Sequence, residues 1–501
     1  MTDVGRRHYY LLGIGGTAMG SLAGLLAAAG HRVTGSDENV YPPMSTLLES
    51  LGIEYAEGYC TGNLEPRPDI VVVGNAISRG NPELEYVLNE RIPYTSAAVT
   101  LKEEFIRGRT CLAVAGTHGK TSTTSLLAWV LEVAGLNPSF LIGGVAENFG
   151  TSFRLTDSEY FVIEADEYDT AYFDKGPKMW HYLPDIAIVN NIEFDHADIY
   201  RDETAYLFAF SRFINLIPSR GTLVAGWDSR HVRSLAAGSY AAVESFGYAG
   251  PHTGSTGSTG STGGSGSTGG TGTDGPADAP ATAPRWVADD VSFGDVTRFT
   301  VLHDGVAWGD VETPLAGAFS IRNCLAAIAA AHAVGADPGR VRDALRTYRS
   351  VRRRMEIRGI IDDIVVIDDF AHHPTAVRET LAAVRQKYPG RRVIAIFEPR
   401  SYTAQRREFE NDYATAFQLA DEIILAGLFH PERYDESTAM NPDRLVAAWQ
   451  AGGKGAAYMP VVDDIVAHVA GVARPGDVVM IMSNGGFGGI HEKMLRTLEQ
   501  R

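Results

Sequence analysis

The chain has 501 residues, 45% hydrophobic and 21% charged, with 61 acidic side chains against 44 basic ones and a formal charge of −17. That length exceeds a single hydrophobic core and predicts two to four globular domains. The acidic excess argues against nucleic acid or an anionic membrane as the main partner, although a local nest of amides and a few cations can still bind phosphate.

The opening stretch, MTDVGRRHYYLLGIGG, carries two arginines before a short apolar run that glycines interrupt. It reads as a strand rather than a signal peptide. No apolar stretch approaches the ~20 residues that span a bilayer, so a cytoplasmic protein is expected. Cys60, Cys111 and Cys324 show no CxxC or metal spacing and are expected to be small buried residues in a reducing compartment.

The first predicted unit is a strand ending at Gly13, a helix with Leu22, Leu25 and Leu26 on its apolar side, and a second strand ending at Asp37. Strand–helix–strand order implies a right-handed crossover in a parallel sheet. Gly13, Gly15 and Ala18 fit G-x-G-x-x-A, and Asp37 follows the next strand. Alone, this is a dinucleotide fingerprint and would suggest an oxidoreductase, yet the same loop serves any pyrophosphate. Asp37 is either a ribose or uracil ligand or a cap on the loop.

The second unit begins at Thr110. In AGTHGKTST, residues 115–123, glycines between a strand and a helix let amides approach phosphate oxygens at the helix N-terminus. Lys120 supplies a mobile charge and Thr121 a hydroxyl for Mg²⁺. Val114 stands where the usual phosphate loop has its first glycine, so this is a shortened variant; a tight helix-capping turn is the bland alternative. Leu126, Leu127, Val130, Leu131 and Ala134 continue at helical spacing. Two near-continuous apolar strands follow, ending in Glu164, Asp166 and Glu167 and in Asn190 to Asp198 respectively. Buried parallel strands have this form, and ligands gather at their C-terminal ends. A carboxylate there suits Mg²⁺; a solvated acidic loop and a structural His196 are the competing readings.

From about 250 to 285 the composition collapses into Gly, Ser, Thr, Pro and Ala. Such a tract buries too little to offset its ordering entropy, so a disordered insertion is expected, with a domain linker as the rival. Strand-like sequence resumes at Asp290 to Trp308. A third unit starts near Val351, with strands IVVID, RRVIAIF, EIILAG and DVVMIM alternating with helices.

Taken in order, the GTHGKT loop, the acidic strand end, NNIEFDHAD, Arg354 in SVRRRMEIRG and Asp369 in VVIDDFAHHPTAV resemble the Mur ligases, and the likeness runs from Gly13 to Gly489. The resemblance implies three α/β domains. Residues 1–108 form a Rossmann-like UDP-sugar-binding domain and 109–348 a central P-loop-type ATP-binding domain. Residues 349–501 form a C-terminal Rossmann-like domain that closes over ATP. It further implies an ATP- and Mg²⁺-dependent carbon–nitrogen ligase of peptidoglycan metabolism.

By that resemblance, Gly116, Thr117, His118, Gly119, Lys120, Thr121, Ser122, Asn323, Arg354 and Asp369 meet ATP, with Asn323 at adenine and Asp369 at ribose. Thr121, Glu164 and His196 hold the metal. Lys120, Glu164, His196 and Arg354 are the catalytic set. Gly13, Gly15, Gly16, Thr17, Ala18, Met19 and Asp37 hold the UDP-sugar. Arg400, Glu432 and Glu436 are candidates for reading a peptide. Stretches such as IEADEYDTAYFDK and SNGGFGGIHEK look like the branch that joins UDP-N-acetylmuramate to L-alanyl-γ-D-glutamyl-meso-diaminopimelate in peptidoglycan recycling. The alternatives are the branch that adds L-alanine to the same acceptor, and a non-catalytic nucleotide- or UDP-sugar-binding protein. Two departures stand out: Phe319 and Ser320 replace a frequent His-Asn pair, and no lysine occurs from Ala197 to Pro218, where some relatives carry a carbamylated one.

Overall fold

The computed structural model describes residues 5–41, 44–195, 199–248, 283–429 and 438–501. Its first sheet comprises β1 (His8–Leu12), β2 (Arg32–Asp37), β3 (Glu54–Glu57), β4 (Ile70–Val73) and β5 (Tyr94–Ser96), in the order β3-β2-β1-β4-β5. All four pairings are parallel. The order reverses between β1 and β4, which opens a crevice at the strand ends, and the glycine loop sits there. Helix Thr17–Ala28 follows, with Leu22, Leu25 and Leu26 buried as their spacing predicts.

The central sheet begins with β6 (Thr110–Ala115), β7 (Ser139–Ala146), β8 (Thr151–Arg154) and β9 (Tyr160–Glu164). A separate hairpin, β10 (Asp169–Ala171) with β11 (Asp174–Pro177), interrupts it before β12 (Pro184–Val189), β13 (Thr222–Gly226) and β14 (Ala242–Gly247). It ends with β15 (Trp286–Ser292), β16 (Thr297–His303) and β17 (Val306–Thr313). The order is β17-β16-β15-β14-β13-β12-β6-β9-β7-β8.

Its middle is parallel, but both edges are antiparallel, at β7–β8 and at β15–β16–β17. The two strands expected to be parallel, β9 and β12, both pair in parallel with β6, whereas short turns close hairpins at the edges. Asp304 (φ 51°) and Gly305 (φ 77°) supply the left-handed pair that a two-residue hairpin turn demands. The Gly/Ser/Thr tract lies outside the described residues. On either side of it, β14 and β15 pair in parallel, Phe246 against Trp286, so the chain leaves and re-enters one sheet. Re-entry comes at Trp286, four residues before the expected strand.

The third sheet holds β18 (Glu356–Ile361), β19 (Ile364–Asp369), β20 (Val393–Phe397), β21 (Glu422–Ala426), β22 (Gly455–Met459) and β23 (Val478–Met482), ordered β18-β19-β23-β20-β21-β22. Four of these are the strands read from sequence. β18, antiparallel to β19, and the half-exposed β22 were not visible as apolar runs. Of the cysteines, Cys111 and Cys324 are buried, but Cys60 is exposed, contrary to expectation, and its thiol donates to Asn63 Oδ1 at 3.2 Å. Among the described residues no helix is long and apolar enough to cross a membrane.

Candidate active site

The glycine loop between β6 and helix Lys120–Val133 is shaped by two residues that only glycine suits. Gly116 has φ +136° and Gly119 φ +82°. A Cβ on Gly116 would lie 3.1 Å from the Asn191 carbonyl, and one on Gly119 would lie 3.0 Å from Asn323 Oδ1. The polar residues after β12 clamp this loop. The His118 N–H donates to Asn191 Oδ1 at 2.9 Å, Thr117 N–H to the Asn191 carbonyl at 3.0 Å, and Asn190 Nδ2 to Thr123 Oγ1 at 3.0 Å. Asn323, on helix Ala318–Ala333, is thereby set against the loop, while the Ser122 carbonyl accepts from Tyr348 at 3.3 Å.

Lys120 Nζ donates to the Gly116 carbonyl at 2.8 Å and to the Glu167 carboxylate at 2.8 and 3.1 Å. Burial alone would lower the lysine pKa, but Glu167, Asp166 and Glu164 together hold it above its ordinary value. Glu167 is fully buried, and Tyr206 also donates to it, at 3.2 Å. By sequence this acid is one of the strand-end cluster with no role of its own; the pairing joins residues 47 positions apart, which no local pattern encodes.

At the next residue of the helix, Thr121 Oγ1 donates to Glu164 Oε2 at 3.2 Å, and Gly143 N–H donates to Glu164 Oε1 at 2.6 Å. Burial first, then Asp166, pushes the Glu164 carboxyl up to about 7, against the pull of Gly143, Lys120 and Arg354. A hydroxyl beside a buried carboxylate whose charge its neighbours leave only partly offset is a donor set that suits a hard divalent cation. His196, the third expected metal ligand, lies outside the described residues, as do Glu432 and Glu436.

Arg354 reaches this site from the connector to the third domain. Ser350 (φ 60°), Arg353 (φ 62°) and Met355 (φ 51°) all occupy the left-handed region, an unusual density of strain for non-glycine residues. Pairing holds the connector in place: Glu147 N–H donates to the Ser350 carbonyl and Arg352 N–H to Val145, each at 3.1 Å. The Arg354 guanidinium lies 4.8 Å from the Phe370 ring centre. Burial lowers its pKa, opposed by Asp369 and Glu164, so it feels the charge of the metal-type carboxylate across the domain boundary. Asp369, expected at the ribose, accepts Met355 N–H and Ala371 N–H, each at 2.8 Å, and so braces the connector.

Further contacts join the second and third domains. Thr403 donates to Asp195 at 2.7 Å, His373 lies 3.8 Å from the Glu193 carboxylate, and the His118 and His373 ring centres are 4.8 Å apart. Burial works against the Glu193 carboxylate, but His118, Thr375 and His373 hold it down at about 2. The third domain thus touches the phosphate loop at His118. Arg400 packs over the Phe429 ring, 3.9 Å from its centre, and against Gly485. Phe319 abuts Gly317 at the start of helix Ala318–Ala333, and buried Ser320 bonds back to the Ala316 carbonyl at 2.7 Å.

In the first domain, Gly13 (φ +82°) turns the chain so that its N–H and that of Ile14 reach the Ser36 carbonyl. Gly15 N–H donates to Asp37 Oδ2 at 2.9 Å, so Asp37 caps the loop. Gly16 precedes helix Thr17–Ala28, whose first turn carries Ala18 and Met19 into a cleft shared with Glu164 and Asp166 of the central domain. That helix docks on the β7–β8 hairpin: Ser21 and Ser152 hydroxyls are 2.7 Å apart, and a Cβ on Gly24 would fall 2.1 Å from the Phe153 ring.

Comparison with known proteins finds a match in each of the three parts of the chain. Residues 8–107 match the Mur ligase family catalytic domain, 114–331 the Mur ligase middle domain, and 353–485 the Mur ligase glutamate ligase domain. The chain belongs to the Mur ligase family. Mur ligases are ATP-dependent amide-bond-forming enzymes that use a divalent metal, and this chain is such a ligase. It is 41% identical over 496 residues, 98% of both chains, to the UDP-N-acetylmuramate–L-alanyl-γ-D-glutamyl-meso-2,6-diaminoheptandioate ligase of Escherichia coli K12. It is 30% identical to the UDP-N-acetylmuramate–L-alanine ligase of Acetivibrio thermocellus, over 98% of this chain and 96% of the other. The crystal structure of a murein peptide ligase from Psychrobacter arcticus 273-4 covers 99% of both chains at 36% identity, with a TM-score of 0.69.

Proposed function

We propose that this Mur ligase joins UDP-N-acetylmuramate to L-alanyl-γ-D-glutamyl-meso-diaminopimelate with ATP and Mg²⁺, in cytoplasmic peptidoglycan recycling. One observation carries the reading: a single cleft runs from the pyrophosphate-type loop at Ala18 and Met19 to Glu164, which is hydrogen-bonded to Thr121 of the phosphate loop. Sugar nucleotide and triphosphate therefore meet where a carboxylate can be phosphorylated. The 41% likeness to a tripeptide-adding enzyme, against 30% to an alanine-adding one, supports the peptide as the second substrate.

A carboxylate does not condense with an amine in water because its oxygen is a poor leaving group. Transfer of the ATP γ-phosphoryl group to the lactyl carboxylate gives an acyl phosphate and ADP. The alanyl amine then attacks the acyl carbon, and the tetrahedral intermediate collapses as phosphate leaves and the nitrogen gives up a proton. Thr121, Glu164 and His196 are the residues to hold Mg²⁺, which would neutralise charge on the phosphate oxygens.

Gly116 to Ser122 cradle the triphosphate, and Asn323 flanks the nucleotide. Lys120 and Arg354 oppose the charge that develops during transfer. The closed third domain excludes water from the acyl phosphate and holds the reactants together, which lowers the barrier by ~7–11 kcal/mol in favourable cases. Arg400, Glu432 and Glu436 remain the candidates for the peptide's far end.

Phosphate release from ATP with UDP-N-acetylmuramate is the test, with tripeptide, tetrapeptide and L-alanine compared as acceptors. The tripeptide should give the highest kcat/KM. Turnover with L-alanine alone would reassign the chain to the alanine-adding branch, and no turnover with any acceptor would make it a binding protein.

A further inference from the structure

The cleft between the first two domains holds a cation that forms no ion pair among the described residues. Lys178 opens a short turn, Lys178–Trp180, and lines the same cleft as Ala18, Met19, Asn75, Glu164 and Asp166. Its backbone is fixed against the end of β9: Lys178 N–H donates to the Tyr168 carbonyl at 2.9 Å and Met179 N–H to the Asp166 carbonyl at 3.0 Å. Met179 is buried, and Trp180 Nε1 donates to the Ala209 carbonyl at 2.9 Å, which pins the turn from its other side. The ammonium group, by contrast, forms no ion pair with any described carboxylate; it stands 5.9 Å from the centre of the Tyr168 ring. Lys178 is the only lysine or arginine on the wall of that cleft among the described residues.

The electrostatics call for such a group. A sugar nucleotide bound here carries two separate anionic parts, a diphosphate and a lactyl carboxylate. The diphosphate meets amides at the start of helix Thr17–Ala28. The carboxylate must approach Glu164 and Asp166, both acidic, and like charges brought together in a partly desolvated cleft repel strongly. The Lys178 ammonium in the same cleft offsets that repulsion, and being a compact point charge it leaves the carboxylate oxygen free to react.

We propose that Lys178 is the specificity-determining residue that binds the acceptor's carboxylate and so distinguishes a muramyl nucleotide from one lacking the lactyl group. This rests on the ligase reading above and deepens it. Lys178→Met and Lys178→Arg in the full chain test it, with thermal melting confirming that both fold. In phosphate-release assays, Lys178→Met should raise KM for UDP-N-acetylmuramate at least tenfold while KM for ATP stays within twofold. Lys178→Arg should recover most of the loss.

Equilibrium binding of UDP-N-acetylglucosamine, which has the same diphosphate and no carboxylate, should be unchanged in Lys178→Met, whereas binding of UDP-N-acetylmuramate should weaken. Equal weakening of both ligands would assign the lysine to the diphosphate and overturn the proposal, as would unchanged binding of both. Failure of the ligase reading is read separately, from wild-type protein that releases no phosphate with any acceptor; the two-ligand comparison still decides the role of Lys178.

Discussion

Lys120 and Glu167 form a buried ion pair at the centre of the phosphate loop, so the lysine has a structural role besides its chemical one. Lys120→Met should reduce ligation by at least about a hundredfold, because a charge opposed to the transferring phosphoryl group is lost. It should also lower stability, by about 3–5 kcal/mol if Glu167 stays ionised without the lysine's charge. The double variant Lys120→Met/Glu167→Gln should regain most of the melting temperature and none of the activity. Recovery of ligation in the double variant would show that Lys120 acts only by pairing with Glu167. Both residues were visible in the sequence, one in GKT and the other in EADE; their meeting was not, because the pair spans two strand ends brought together only by the parallel pairing of β6 with β9.

At the scale of elements, two joints position the site. Helix Thr17–Ala28 seats the first domain on Phe153 through Gly24, where no side chain fits. Gly24→Leu should unseat it, lowering stability by roughly 1–3 kcal/mol as over-packing does, and should raise KM for the sugar nucleotide more than KM for ATP. A melting temperature equal to wild type would show that the helix does not press on Phe153.

The second joint is the strained connector carrying Arg354. Asn148 clamps it, donating to the Thr347 carbonyl at 3.0 Å and accepting Arg349 N–H at 2.7 Å. Asn148→Ala should cost about 1 kcal/mol of stability and reduce kcat more than it changes KM for the sugar nucleotide, as a looser Arg354 predicts. Loss of sugar-nucleotide binding instead would place Asn148 at the wrong joint. Neither device has a sequence signature. Gly24 is one of two glycines in its helix, and the left-handed residues are serine, arginine and methionine.

At the scale of the whole molecule, closure buries imidazoles at the seam between the second and third domains. Burial pushes His372 down to about 4, helped by His118 and Arg354 and opposed by Asp195 and a hydrogen bond with the Phe370 carbonyl. His373, which His118 and His372 also push down and Asp195 and Glu193 pull up, is likewise held at about 4. Both folded values lie below the ordinary 6.5, so between pH 6.5 and 4 the unfolded chain binds more protons. The stability these residues contribute is complete above pH 6.5 and is lost as the pH falls through that window. Melting temperatures at pH 7, 6 and 5 should fall accordingly, and His372→Asn should flatten the slope. An unchanged slope in that variant would remove His372 from the seam's proton balance.

What the sequence by itself determined follows from local rules. Apolar runs ending in polar residues marked the parallel strands, and glycines before helices marked both anion loops. The order of these motifs along the chain placed it among the Mur ligases. Each of these signals lies within a few residues, where backbone geometry and side-chain type suffice. Only the tertiary structure decided that Lys120 pairs with Glu167, that Asp369 and Asp37 brace backbone amides, that the central sheet turns antiparallel at both edges, and that Lys178 lines the cleft of Ala18 and Glu164 with no ion pair among the described residues. Charges and glycines act there through neighbours far away in the chain, and the energy of such contacts depends on burial and distance, which only folding sets.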